Sequence, residues 1–209
     1  MIGIFGGTFD PVHLGHLLLA KAAAKHLSLQ RVIFVPLGLP PHRDLPRVSP
    51  QSRVNMLQAA LADYPDFEIS TVEIDKASPS WTVQTLAHFC SEMPDETFCL
   101  LMGSDAFRSI NQWYHWQSLL DYCHLVVVSR AGDESELDSE VAGYLAQNRL
   151  SSLQEITDDS GGGIYWLEAE IPDISSTLVR HRVDADEPLT GLLPPAVESL
   201  IKEHGHYGY

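Results

Sequence analysis

Apolar residues in this chain follow two alternating patterns. Short runs that are apolar at nearly every position recur at residues 2–5, 31–36, 97–102, 124–129 and 164–167. Their length and their Val, Ile, Leu and Phe content fit strands buried on both faces. Between them lie stretches that read as helices. Residues 17–24 form the first. Ser49 and Pro50 open a second that runs through Ala62, the serine as cap and the proline at the first helical position. Ser80 is the expected cap of a helix over 81–92. Residues 113–120, 139–147 and 194–202 are the remaining expected helices, and 67–71 and 72–74 read as extended chain. Strands alternating with helices predict an α/β fold with an open, mostly parallel sheet covered by helices on both faces.

The chain has 209 residues, enough for one sizeable core, and residues 1–209 are expected to form one domain. Residues 37–48 are a proline-rich loop. Residues 132–163 are acidic and differ from the rest; they are expected to be a peripheral segment with a mobile loop. The tail from His204 to Tyr209 could suggest a metal site, but reads rather as a frayed polar terminus. A formal net charge of −15 repels polyanions, so neither nucleic acid nor an acidic membrane is an expected partner. Three cysteines without paired spacing fit reduced thiols. No apolar run is long enough for a bilayer and the start lacks a signal-peptide pattern, so a cytoplasmic location is expected.

Candidate chemistry concentrates at the first strand-to-helix junction. Gly6, Gly7, Thr8, Phe9, Asp10, Pro11, Val12, His13, Leu14, Gly15 and His16 follow one another there. Glycines let backbone approach a phosphate, and a helix start offers free N–H groups. His13 and His16 are three apart, which places both on one side. The same spacing fits an ordinary loop histidine and helix-start histidine, or two ligands of a metal with Asp10 nearby. A second candidate lies far along the chain, where Ile174, Ser175, Ser176 and Thr177 precede Arg180. It fits a plain serine cap, and equally a second phosphate-binding helix start.

These two motifs together resemble the Rossmann-like nucleotidyltransferases, and within them the bacterial nicotinate mononucleotide adenylyltransferases. Pro40-Pro41-His42-Arg43, Pro79-Ser80-Trp81-Thr82, Gly103-Ser104-Asp105 and Trp113-Tyr114 extend the resemblance over nearly the whole chain. The acidic 132–163 region departs from it and leaves oligomer contacts, including a homo-oligomer, open. The resemblance implies a Rossmann-like sheet and transfer of the adenylyl group of ATP to nicotinate mononucleotide, giving deamido-NAD and pyrophosphate in NAD biosynthesis. ATP and nicotinate mononucleotide are the implied partners, with magnesium (Mg2+) carried on the ATP phosphates and no protein metal site. His13 and His16 are the implied catalytic pair, His16 nearest the transferred group, acting as donors whose protonation would help. Gly6, Gly7, Thr8 and Phe9 would line the first phosphate turn, and His42 and Arg43 would close over the triphosphate. Ser175, Ser176, Thr177 and Arg180 would hold the far phosphates, with Ile174 beside adenine. Gly103 and Asp105 would meet a ribose, although Asp105 also fits a helix cap. Trp81, Thr82, Trp113, Tyr114 and Arg130 would hold the acceptor; taken alone, Trp81 and Trp113 also fit packing aromatics and Arg43 a solvated loop. A pantetheine-phosphate adenylyltransferase shares the motifs. A non-catalytic nucleotide sensor and a metal-dependent hydrolase are the readings from other classes.

Overall fold

The apolar runs pair side by side into one parallel sheet. In the computed structural model, which describes residues 1–39, 45–76, 78–130, 136–156 and 162–209, its strands are β1 (Ile2–Gly7), β2 (Arg31–Pro36), β3 (Phe67–Ile69), β4 (Phe98–Gly103), β5 (His124–Arg130) and β6 (Ile164–Ala169). The α-helices are α1 (Leu14–Leu27), α2 (Pro50–Leu61), α3 (Thr82–Glu92), α4 (Ser104–Arg108), α5 (Ser139–Asn148), α6 (Ser176–Asp184) and α7 (Pro195–Glu203). The strand order is β3-β2-β1-β4-β5-β6, every neighbour parallel.

Successive side chains leave a strand on opposite faces. The sheet therefore feeds two cores. Val32, Phe34, Leu101 and Val126 meet Leu17, Leu57, Val179 and Val197 on one face. Ile4, Ile33, Leu100 and Val127 meet Leu86, Phe107 and Val141 on the other. Because both faces are covered, the central strands are mostly apolar, and the buried polar side chains of β5 are bonded: His124 Nδ1 accepts from Gly163 N and Ser129 Oγ from the Trp166 indole.

The chain leaves β1 toward β2 and β3, then returns through α3 to β4 on the other side of β1. Connections diverge there, and the carboxyl ends of β1 and β4 border a crevice, the usual ligand position in such sheets. The expected Rossmann-like α/β architecture is thus present.

Local expectations differ from the structure in four places. Residues 72–74 are a turn, not extended chain: Asp75 N donates to Thr71 O at 2.9 Å and Thr71 Oγ1 to Asp75 Oδ2 at 2.7 Å. Ser80 does not cap α3; Trp81, extended at φ −123°, occupies that position without a side-chain cap bond. Residues 113–120 are not one helix. Two 3₁₀ turns, Ile110–Gln112 and Trp116–Asp121, are separated by an extended Trp113 and by His115 at φ 48°, a left-handed conformation no helix continues through. The tail is not frayed, since Tyr207 is buried within a 3₁₀ turn, His206–Gly208. In the acidic region, Asp138 caps α5 by accepting from Val141 N at 2.9 Å, and Val141 is fully buried; of the 132–163 segment expected to carry a mobile loop, residues 132–135 and 157–161 lie outside the described residues. Among the described residues no helix is long and apolar enough to cross a membrane.

Candidate active site

A cleft of about 870 Å³ opens at the carboxyl ends of β1 and β4. Its floor is the glycine turn of β1. Gly6 faces open space, so its missing side chain leaves the backbone accessible. Gly7 also lines the cleft, and a Cβ there would meet the Phe9 ring at 2.9 Å. Phe9 has φ 49° and turns its ring away from the cleft into the core, edge-on to Phe5 at 5.7 Å between centroids. Thr8 lines the cleft, while Phe9 does not.

The two histidines sit at the start of α1. Their rings stack at 3.6 Å between centroids. The His13 backbone N–H donates to His16 Nδ1 at 3.2 Å. A neutral His16 that accepts at Nδ1 carries its proton on Nε2, so it is a hydrogen-bond donor without being charged. Gly15 makes the stack possible, because a Cβ there would lie 3.0 Å from His13 Nδ1. Burial pushes His13 down to about 4, and burial, then the neighbouring His13, pushes His16 well below the ordinary histidine value. Burial therefore favours the neutral form of both rings in the free protein, because taking an imidazolium out of water is unfavourable.

The His13 shift links stability to pH. Its folded value lies below the unfolded value near 6.5, so the unfolded chain binds the extra proton. The contribution is complete above about pH 6.5 and disappears as pH falls toward 4, roughly 3 kcal/mol in all. Urea unfolding at pH 7.5 and pH 4.5 should show a loss on acidification that is smaller in His13→Gln by about this amount; equal losses in both proteins would contradict it.

Across the cleft stands the start of α6. Ile174, Ser175, Ser176 and Thr177 all line the space. The hydroxyls are already engaged: Ser175 Oγ accepts from Leu178 N at 3.1 Å, Ser176 Oγ donates to Pro11 O at 2.9 Å, and Thr177 Oγ1 accepts from Arg180 Nη2 at 3.1 Å. What α6 offers a ligand is its first-turn amides, which lack intrahelical acceptors. Arg180 is not among the cleft-lining residues; its Nη1 donates to Asp10 O at 2.6 Å.

The opposite end is aromatic. Trp81, Thr82, Trp113 and Tyr114 line it, and the Trp81 and Tyr114 rings pack at 4.7 Å. Gly103 caps α4, so Asp105 is not its cap but a first-turn residue, exposed and paired with Arg108 at 2.6 Å. Arg130, at the end of β5, faces the same space and is paired with Asp173 at 2.6 Å. His42 and Arg43 lie outside the described residues.

Three supports were not evident from sequence. Arg53, fully buried on α2, donates to Thr8 O at 2.8 Å and Leu37 O at 2.7 Å, clamping the exits of β1 and β2 together. Glu73 is buried, accepts from Thr85 Oγ1 at 2.7 Å and Gly38 N at 3.4 Å, and lines the aromatic end. Any side chain at Gly38 would run into the Glu73 carbonyl and Ser80 Oγ. Burial raises the Glu73 carboxyl, against the hydrogen bond from Thr85. Asp10, the nearby carboxylate of the metal reading, is buried and bound instead by Tyr207 and Arg47. Among the described residues no group of three His, Cys, Asp or Glu could hold a metal ion.

The cytidylyltransferase-like family pattern matches residues 4–182. A protein of Aeromonas hydrophila described as a probable nicotinate-nucleotide adenylyltransferase is 39% identical over 207 residues, covering 99% of this chain and 96% of its own. A Yersinia pestis protein of the same description is 35% identical over 209 residues, covering 99% of this chain and 95% of its own. Among solved structures, the Plasmodium falciparum nicotinic acid mononucleotide adenylyltransferase complexed with NaAD superposes with a TM-score of 0.75 at 17% identity, covering 99% of this chain and 96% of its own.

Proposed function

We propose, for a chain that belongs to the cytidylyltransferase-like family and within it to the nicotinate-nucleotide adenylyltransferases, that the cleft joins ATP to nicotinate mononucleotide. The single observation that carries this assignment is the pairing of two helix starts across one cleft, stacked histidines on one side and the α6 first turn on the other, with an aromatic end beyond them. A dinucleotide such as the NaAD of the Plasmodium protein requires such an elongated site.

The acceptor phosphate is a monoester, largely ionised near neutral pH because its second pKa is about 6. It needs no general base. Its oxygen attacks the α-phosphorus of ATP, a new P–O bond forms, the bond to the β-phosphate oxygen breaks, and pyrophosphate leaves with that electron pair. Catalysis is alignment and charge stabilisation. His16 donates from Nε2 to the α-phosphoryl oxygens as charge moves there. His13 backs it by stacking. Gly6, Gly7 and Thr8 seat the triphosphate, and the amides of Ser176 and Thr177 hold its far end. Gly103 and Asp105 meet the ATP ribose. Thr82 and the Tyr114 amide meet the nicotinate carboxylate against Trp113, and Arg130 leaves Asp173 for the acceptor phosphate. His42, Arg43 and Arg180 complete the ATP contacts when the nucleotide is bound.

Magnesium takes oxygen ligands, and the phosphates themselves supply them, which fits a cleft whose described residues offer no cluster of three ligating side chains. When bound, it would neutralise charge on the leaving pyrophosphate.

Pyrophosphate release with ATP and magnesium tests the assignment, with nicotinate mononucleotide, nicotinamide mononucleotide and phosphopantetheine offered in parallel. Rapid release with nicotinate mononucleotide is expected. Release with phosphopantetheine alone, or with no acceptor at all, would overturn it.

A further inference from the structure

We propose that Tyr207, acting through Asp10, is a positioning residue for adenylyl transfer: the carboxy-terminal turn holds the segment that carries His13 and His16. This builds on the function proposed above. The segment from Thr8 to His13 has no strand partner among the described residues and contains Phe9 at φ 49°, a left-handed conformation that a bulky side chain adopts only when its surroundings impose it. Tertiary contacts impose it here.

Asp10 is at the centre of these contacts. Tyr207 Oη donates to Asp10 Oδ1 at 2.8 Å, although the two residues are 197 positions apart. Arg47 N donates to Asp10 Oδ2 at 2.9 Å. Arg180 donates to the Asp10 carbonyl at 2.6 Å, Ser176 to the Pro11 carbonyl at 2.9 Å, and Leu14 N to Leu192 O at 2.9 Å. Most of these ties come from the last part of the chain. Val12 is fully buried and His13 follows it directly, so a displacement of Asp10 passes to the His13 N–H, whose bond sets the orientation of His16. Tyr207 is buried, and burial, then the charge of Asp10, holds its phenol well above the usual tyrosine range, so it remains a donor at every working pH. The ring belongs to the core cluster that also holds Val183 and Ile201, and Phe would keep that apolar packing.

Tyr207→Phe removes only the donated bond. Steady-state kinetics should show kcat lowered about tenfold, with KM for the acceptor within about twofold, since small misplacements of reacting groups act on the transition state. Asp10→Asn, which weakens the same tie from the other side, is expected to give the same split. A merely structural role would lower the melting temperature without that split. The second readout is coupling: in a His16→Ala background, Tyr207→Phe should change kcat by less than about twofold, because the tether then has nothing to position. The third does not depend on turnover: the imidazole NMR resonances of His13 and His16 should move in Tyr207→Phe. Unchanged resonances, an unchanged kcat, or a full tenfold loss repeated in the His16→Ala background would each overturn the proposal. A parent protein that transfers nothing would count against the function, while the resonances still decide the tether.

Discussion

Replacing His16 by alanine is expected to lower kcat for adenylyl transfer by at least about a hundredfold, the usual scale for losing one donor aimed at developing charge. The neutral ring matters here. His16 Nδ1 accepts from the His13 backbone, which leaves Nε2–H as the donor. Burial holds the group well below the usual histidine range, so that donor is present, uncharged, throughout the neutral region. When a triphosphate arrives, its negative charge works against the burial and favours the protonated form. The same interaction strengthens as charge accumulates on the α-phosphoryl oxygens, so it lowers the barrier more than it tightens binding. KM for nicotinate mononucleotide should therefore change little. Initial rates at saturating ATP, with circular dichroism to confirm the fold, check this. A kcat within about threefold of the parent would remove His16 from the transfer step.

Replacing Arg53 by methionine is expected to be the most destabilising single change near the site, about 3 kcal/mol or more. Arg53 is fully buried, and its two terminal nitrogens satisfy the carbonyls of Thr8 and Leu37. Burial lowers its pKa, and the nearby Asp10, Tyr207 and Glu73 act against that effect. Methionine fills similar volume but leaves the Thr8 and Leu37 carbonyls without these donors. Melting should fall by about 6–12 °C for a chain of this size. Lysine keeps the charge but reaches one carbonyl, so Arg53→Lys should fall between the two. A loss below about 1 kcal/mol in the methionine variant would show that water or a neighbouring donor replaces the guanidinium.

Both cases show which features a sequence can carry. The strands were legible because burial on both faces writes an unbroken apolar run within a few residues. The α1 and α6 starts were legible for a related reason: glycines, capping hydroxyls and histidines act within one turn of each other, so their spacing encodes their geometry. Short-range rules failed where a long-range partner outweighed them. Residues 72–74 look extended, yet Glu73 is drawn into a turn where it meets Thr85 and Gly38. Ser80 looks like a cap, but its backbone is engaged by Leu39 O at 3.1 Å and α3 begins one residue later, after Trp81.

The sequence by itself determined the α/β class, the five apolar runs that became strands, the extended chain that became β3 apart from its extent, and the residue types that meet at the cleft. Tertiary structure decided the roles of Arg53, Asp10 and Tyr207. Arg53 is 45 positions from Thr8 and Tyr207 is 197 from Asp10, so no local pattern relates them. Their chemistry exists only once packing removes water: a charge or hydroxyl that solvent would satisfy in the unfolded chain must then find its partner in the protein. Burial likewise decided that both histidines lie below the usual histidine range, since desolvation depends on what surrounds a side chain and not on its neighbours in sequence.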